Sequence, residues 1–217
     1  MRVYRFLNAE YGLDALRRRR LKIALFGELN DPFELLGVNL SDKDIREAFH
    51  KMKLALSEYH GLLCFSRRWR NPLLWSHYAD RHRGLCLGFD IPDELAMGVN
   101  YTVNRLVPND LFSPDKTASA RAMAKVLATK FSHWRYEDEV RLFVSLEDRN
   151  PQDGHFFYDF SEDLKLVQVI VGSQSCISRC DLEGALGNRN ADVERFKVRP
   201  AFKTFRVVMN RKRSLWT

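Results

Sequence analysis

The order of patterns along the chain predicts an α+β fold, in one domain over residues 1–217, with a mixed, largely antiparallel and split sheet and flanking helices. Three observations predict it. Segments with apolar residues at helical spacing come before residue 131, and segments with period-two alternation dominate after residue 139. No repeat, low-complexity block or Gly/Ser/Pro linker interrupts the 217 residues, a length that can bury a core of its own. Neither G-x-G-x-x-G nor G-x-x-x-x-G-K-[ST] occurs, so a doubly wound parallel sheet has no sequence support.

The first element is a strand over 3–7. Asn8 then caps a helix running through Arg19, and 21–26 reads as a second strand. Asn30-Asp31-Pro32-Phe33-Glu34 is a turn, because a residue before proline is pushed out of the helical region. Ser41-Asp42-Lys43-Asp44 reads as a capping box that opens a helix to about His60, with Ile45, Phe49, Met52 and Leu56 on one face. A strand over 62–66 follows. Asn71 caps the next helix with Pro72 at its first position, and Gly84 ends it. Residues 85–90 and 99–107 read as strands, and 116–131 as a helix with Met123, Val126, Leu127 and Phe131 on one face. Strands over 139–146, 155–160, 164–171, 193–198 and 202–209 complete the chain, interrupted by a short helix over 177–186.

Composition narrows the class. The chain carries 35 Lys plus Arg against 28 Asp plus Glu, a formal charge of +7. Residues 195–217 contain eight basic and no acidic residues, so that segment alone carries +8 and the rest is nearly neutral. This basic C-terminal strand segment, with the cluster at 17–20, is a solvated face or a surface for a polyanion. Apolar runs such as 23–26 and 169–171 fall far short of the ~20 residues a membrane helix needs. The N-terminus has no apolar signal core, which leads us to expect a cytoplasmic protein without membrane partners. Cys64, Cys86, Cys176 and Cys180 form no C-x-x-C pair, so reduced thiols and no metal site are expected.

Several polar residues fall where strand alternation calls for apolar ones. Arg5 shares a strand face with Val3 and Leu7, and a guanidinium there needs an anion, either a structural carboxylate or a ligand. Glu137, Glu139 and Arg141 share a face opposite Val140, Leu142 and Val144. Two carboxylates so placed can reach one bound molecule, unless Arg141 merely neutralises them on a solvated face. Cys86, Gly88 and Asp90 make a face of small residues that lets a helix or a flat ligand approach. Trp75, His77 and Tyr78 concentrate rings and an imidazole on one helix, as core packing or as a site.

The combination of Tyr4-Arg5-Phe6, Asn30-Asp31-Pro32-Phe33-Glu34, Cys64-Phe65-Ser66, Trp75-Ser76-His77-Tyr78-Ala79 and Trp134-Arg135-Tyr136-Glu137-Asp138-Glu139-Val140-Arg141 resembles a bacterial family classed as a domain of unknown function, over residues 3–172. More distantly, the order Arg5, Ser66, Glu137-x-Glu139 is similar to the Arg, Ser, Glu signature of ADP-ribosyltransferases. Only the last residue of Cys64-Phe65-Ser66 matches that superfamily's Ser-Thr-Ser. The resemblance implies an ADP-ribosyltransferase-like fold and an NAD-consuming enzyme, a bacterial toxin or phage-defence effector. It implies that Glu139 is the catalytic carboxylate and that Glu137 helps to choose the acceptor. It implies further that Arg5 holds an NAD phosphate or ribose, that Ser66 braces the nicotinamide side, and that Tyr4, Trp75, His77 and Tyr78 complete the NAD site. No metal is needed, and the expected partners are a nucleic-acid or protein acceptor and an antitoxin or immunity protein.

Two other readings stand beside it. One is a nucleic-acid-binding protein using the basic C-terminal surface and 17–20. The other is a metal-dependent nuclease using Asp31, Glu34, Glu137 and Glu139.

Overall fold

The computed structural model describes residues 1–107, 115–146, 154–187 and 192–216. From the N-terminus the elements are β1 (Arg2–Leu7), α1 (Ala9–Arg18), β2 (Arg20–Lys22), α2 (Lys43–Tyr59), β3 (His60–Ser66), α3 (Pro72–Tyr78), β4 (Leu85–Asp90), β5 (Met97–Gly98), β6 (Asn100–Thr102), α4 (Lys116–Leu127), β7 (Thr129–Phe131), β8 (Glu139–Ser145), β9 (Phe157–Asp159), β10 (Lys165–Val171), α5 (Arg179–Leu186), β11 (Glu194–Pro200) and β12 (Val207–Met209). This is an α+β architecture with a largely antiparallel sheet. The chain forms two compact units, each assembled from separate stretches: Met1–Lys22, Phe65–Leu95 and Phe157–Thr217 make the first, and Ile23–Cys64 with Ala96–Phe156 the second. No helix among the described residues is long and apolar enough to cross a membrane.

In the first unit the strand order is β12-β11-β10-β4-β1, with the end of β3 beside β1. All of these pairs are antiparallel except β10 with β11. β4 lies between β1 and β10 and is covered on both faces, which is why Leu85-Cys86-Leu87-Gly88-Phe89 contains no charge. Gly88 opposes Tyr4 in the register, and a Cβ there would stand 3.2 Å from the Tyr4 ring and 3.0 Å from Gln168. The small-residue face therefore admits side chains of the neighbouring strands. α1 is capped by Asn8, whose side chain accepts from the Tyr11 amide, and it buries Gly12, Ala15 and Leu16.

Between α3 and β4 the backbone makes an unusual turn. Asp80, Arg81 and His82 all have left-handed φ, at 44°, 52° and 69°. The amides of Arg81, His82 and Gly84 bond back to Ser76, Trp75 and Ala79 carbonyls, and Gln174 donates to the His82 carbonyl, so the strain is held by hydrogen bonds. Gly84 then passes so close to β1 that a Cβ would lie 2.0 Å from the Leu7 carbonyl oxygen.

In the second unit β3, β8 and β5 adjoin in that order, and β6 pairs with β7 in parallel. Apolar faces of α2 and α4 meet around Val38, Phe49 and Val126, with Ile45, Met52 and Met123 packed against them. A second cluster joins Phe26, Leu35 and Leu62 to Leu56 and Phe143.

Four expectations are corrected. The strand expected over 21–26 stops at Lys22, and Ala24 makes a single bridge to Leu62 before Phe26–Glu28 turns as a 3-10 helix. The cap of α2 is Asp42, whose carboxylate accepts from the Asp44 and Ile45 amides, while Ser41 bonds to Asn39. The helix expected through Phe131 ends at Leu127, because Ala128 receives the Asn100 amide and starts the turn into β7. The strand expected over 202–209 begins only at Val207: residues 201–206 are the tip of the β11–β12 hairpin, where Phe202 and Phe205 are 89% and 99% exposed.

Candidate active site

Glu139 opens β8 immediately after Asp138, whose left-handed φ of 45° ends a 3-10 turn over Ser132–Glu137. The segment is not extended, as the alternation argument requires, yet the kink brings both carboxylates to one cation. Lys130 Nζ donates to Glu137 Oε2 at 2.6 Å and to Glu139 Oε2 at 2.9 Å. Arg141, two residues along β8 and fully enclosed, donates through Nε to Glu139 Oε1 at 2.9 Å and through Nη2 to Glu139 Oε2 at 3.2 Å. Its Nη2 also pairs with Glu34 Oε1 at 2.7 Å, and its Nη1 donates to the Leu127 carbonyl. Glu34 lies 3.8 Å from Lys130 Nζ. The face of β8 that carries Glu139 and Arg141 is thus sealed, not solvated: all five side chains are less than 10% exposed.

Three carboxylates share two cations here, and the division is unequal. Burial works to raise the Glu139 carboxyl, but Arg141 and Lys130 overcome it and hold Glu139 below the ordinary glutamate value. Glu34 goes the other way, because burial outweighs what Arg141 and Lys130 supply. Tyr101, whose hydroxyl oxygen accepts from the Glu139 amide at 2.8 Å, is pushed up to about 12, mainly by burial. Glu139 is therefore ionised and fixed in place, a group suited to electrostatic work and not to giving or taking a proton. Lys130 Nζ fills the point among Glu34, Glu137 and Glu139 that a divalent ion would need. Among the described residues no three His, Cys, Asp or Glu side chains are grouped to hold a metal. Asp31, the remaining carboxylate of the nuclease reading, is buried and accepts from the Phe33 amide within its own turn.

A concavity of about 220 Å³ lies beside Lys130, lined also by Phe33, Leu36, Thr102, Arg105 and Phe131. Neither Glu137 nor Glu139 lines it; of the charge cluster only Lys130 does.

The other sequence-derived residues belong to the first unit. Arg5 is half-buried on β1, opposite Leu87 of β4. Tyr4 pairs in register with Ser66 of β3 and is half-buried, with its phenol raised by desolvation. The Ser66 hydroxyl is closed on its own turn, donating to the Arg68 carbonyl and accepting from the Arg68 amide. Trp75 is a core residue: fully buried, edge-on to Phe6 at 5.2 Å, stacked on His82, with its indole donating to the Trp69 carbonyl. His77 is exposed on α3 beside a half-buried Tyr78, their rings 6.1 Å apart. The structure thus brings together Glu137 with Glu139, and Tyr4 with Ser66.

Lys130 and Tyr101 have no place in the sequence reading of the site. The signal that could have found Lys130 is arithmetic: buried Glu34, Glu137 and Glu139 outnumber Arg141 and call for another cation nearby. Comparison with protein-family models, with curated proteins and with solved structures returns no match for this chain.

Proposed function

We propose that the chain is an NAD-consuming enzyme of ADP-ribosyltransferase type, with an ADP-ribosyltransferase-like fold, serving as a bacterial toxin or phage-defence effector. The observation that carries this reading is the order of the strands. Arg5 lies on β1, Ser66 ends β3 and Glu139 opens β8; β1 adjoins β3 in the first unit and β3 adjoins β8 in the second. Within the first unit the Arg and the Ser of the signature therefore fall on neighbouring strands, and within the second unit its Glu opens the strand beside β3.

In the proposed reaction the bond between nicotinamide and the ribose anomeric carbon breaks. The electron pair leaves with nicotinamide, positive charge develops on the sugar, and an acceptor nucleophile adds to it. Glu139 stabilises that cation as an ionised, preorganised carboxylate without forming a covalent bond. Lys130 and Arg141 occupy the Glu139 oxygens in this structure, so the reading requires Lys130 to leave Glu139 Oε2 before ribose hydroxyls reach it. Arg5 holds the diphosphate in forked geometry, Ser66 braces the nicotinamide side, and Glu137 orients the acceptor.

The test is release of nicotinamide from NAD by the purified protein, with and without added nucleic acid or protein acceptors. Glu139→Gln, verified as folded by circular dichroism, is expected to lower the rate by roughly 10²- to 10³-fold. Arg5→Lys, which keeps the charge but not the fork, is expected to raise KM for NAD. A folded Glu139→Gln protein as active as the parent removes the mechanism, and absence of release under every condition removes the function.

A further inference from the structure

The first unit contains a second concavity that the NAD reading does not use. A groove of about 520 Å³ runs between α5, β11 and the chain after β12. Its cations are Arg179, Arg195, Lys197, Arg211 and Lys212, against the carboxylates Glu183 and Glu194. One of those carboxylates, the exposed Glu194, accepts a hydrogen bond from Gln168 of β10. The walls are built, not incidental. Trp216 donates through its indole to the Ile177 carbonyl, Arg179 donates to the Trp216 carbonyl while lying over its ring, and Lys197 donates to the Ser175 carbonyl. Arg195 Nη1 is buried and has no hydrogen-bond partner among the described residues, an unusual condition for a guanidinium nitrogen. Five cations against two carboxylates around one concavity favour an anion there.

The hairpin that supplies β11 and β12 extends the groove in one direction. From Lys197 to Phe202 the chain covers roughly 16 Å at strand rise. At the far end, residues 201–206 present Phe202 and Phe205 almost wholly to solvent, interleaved with Lys203 and Arg206. Arg199 caps one ring, its guanidinium 4.1 Å from the Phe202 centroid, and the β12 side of the hairpin is tied down by the Val207 amide bonding to the Arg70 carbonyl. The Phe205 ring and the face of Phe202 away from Arg199 are open to solvent, a cost that a stacking partner removes.

We propose that the groove and the hairpin tip form one binding site for single-stranded nucleic acid, the groove taking phosphates and Phe202 and Phe205 taking bases. A lipid surface fits less well, because the cations line a concavity and not a plane. A duplex fits less well because its base faces are stacked away from the two rings. This proposal does not rest on the NAD reading.

The test is fluorescence anisotropy with labelled single-stranded RNA and DNA 15-mers of mixed sequence, a matched duplex, and phosphatidylcholine vesicles with and without phosphatidylserine. The expected result is binding to a single strand with a log–log salt slope of about −2 to −3.5, as for 3 to 5 displaced counterions. Exchanging the exposed Arg211 and Lys212 for Glu should flatten that slope. Phe205→Ala and Phe202→Ala should each weaken binding roughly 5-fold or more with the slope unchanged. These four positions are on the surface, so the variants are expected to fold. No binding at low salt, equal affinity for duplex with no loss in the Phe variants, or tighter binding to the anionic vesicles than to the oligonucleotides would each overturn the proposal.

Discussion

Lys130 and Glu34 occupy opposite positions in the buried charge cluster, and substitutions at the two should separate cleanly. Replacing Lys130 by Met leaves Glu137 and Glu139 facing each other with Arg141 as their main counterion, and such a broken buried pair costs about 3–5 kcal/mol. Glu34→Gln should cost much less. Burial already favours its uncharged form, and removing its charge leaves two cations to two carboxylates. Urea unfolding of the two variants measures the difference, and an equal loss would show that Glu34 is as firmly ion-paired as Glu139. At this scale the sequence was half legible. Glu139 and Arg141 are two apart on a strand, so their sharing of a face follows from period two alone. That both faces of β8 are covered does not follow, because burial of a charged face depends on a lysine from β7 and a glutamate from the turn after Pro32, neither of them near in sequence.

Elements are fixed chiefly by their ends. Asn8→Ala removes the side-chain acceptor of the Tyr11 amide and should lower stability by about 1 kcal/mol in urea melts. Arg81→Gly should act in the other direction. Its left-handed φ of 52° costs an L-residue about 1–2 kcal/mol, which glycine returns apart from an entropic penalty of 0.5–1 kcal/mol. A net gain of a few tenths is therefore expected, and a loss would mean that the arginine side chain itself holds the turn. Two caps were readable, Asn8 and Asn71 with Pro72, which stand where short polar residues precede apolar periodicity. The length of α4 was not readable. Val126, Leu127 and Phe131 keep helical spacing across the point where the chain turns into β7, and what ends the helix is a hydrogen bond from distant Asn100. The hairpin tip misleads for a related reason, since Phe202 and Phe205 look like strand residues but have no sheet to cover them.

For the molecule as a whole, acid should act in two stages. His82 has a depressed value because burial disfavours its charged form, so the unfolded chain takes up the proton first, and stability falls as pH drops below about 6.5. Glu139 is also depressed. Its contribution is complete above the ordinary glutamate value, about 4.3, and is lost as pH falls through the lower folded value. Unfolding midpoints between pH 3 and 8 should thus decline in a shallow step and then a steeper one. His82→Gln should abolish the first step alone; its survival in that variant would assign it elsewhere. The α+β class and the largely antiparallel sheet follow from the order of helical and alternating patterns. The division into two compact units does not, because each is assembled from stretches far apart in the chain, and their borders, as at Lys22 and Cys64, carry no linker composition.

The passage of Gly84 against the Leu7 carbonyl limits what variation the protein tolerates. A methyl group there would have to occupy the same space as a backbone oxygen, and that oxygen is held where β1 passes into the cap of α1. Gly172 is held in the same way against the His82 carbonyl, at 2.2 Å. In a library containing every single substitution, these two columns should stand empty after selection for folded protein, whatever the activity selected.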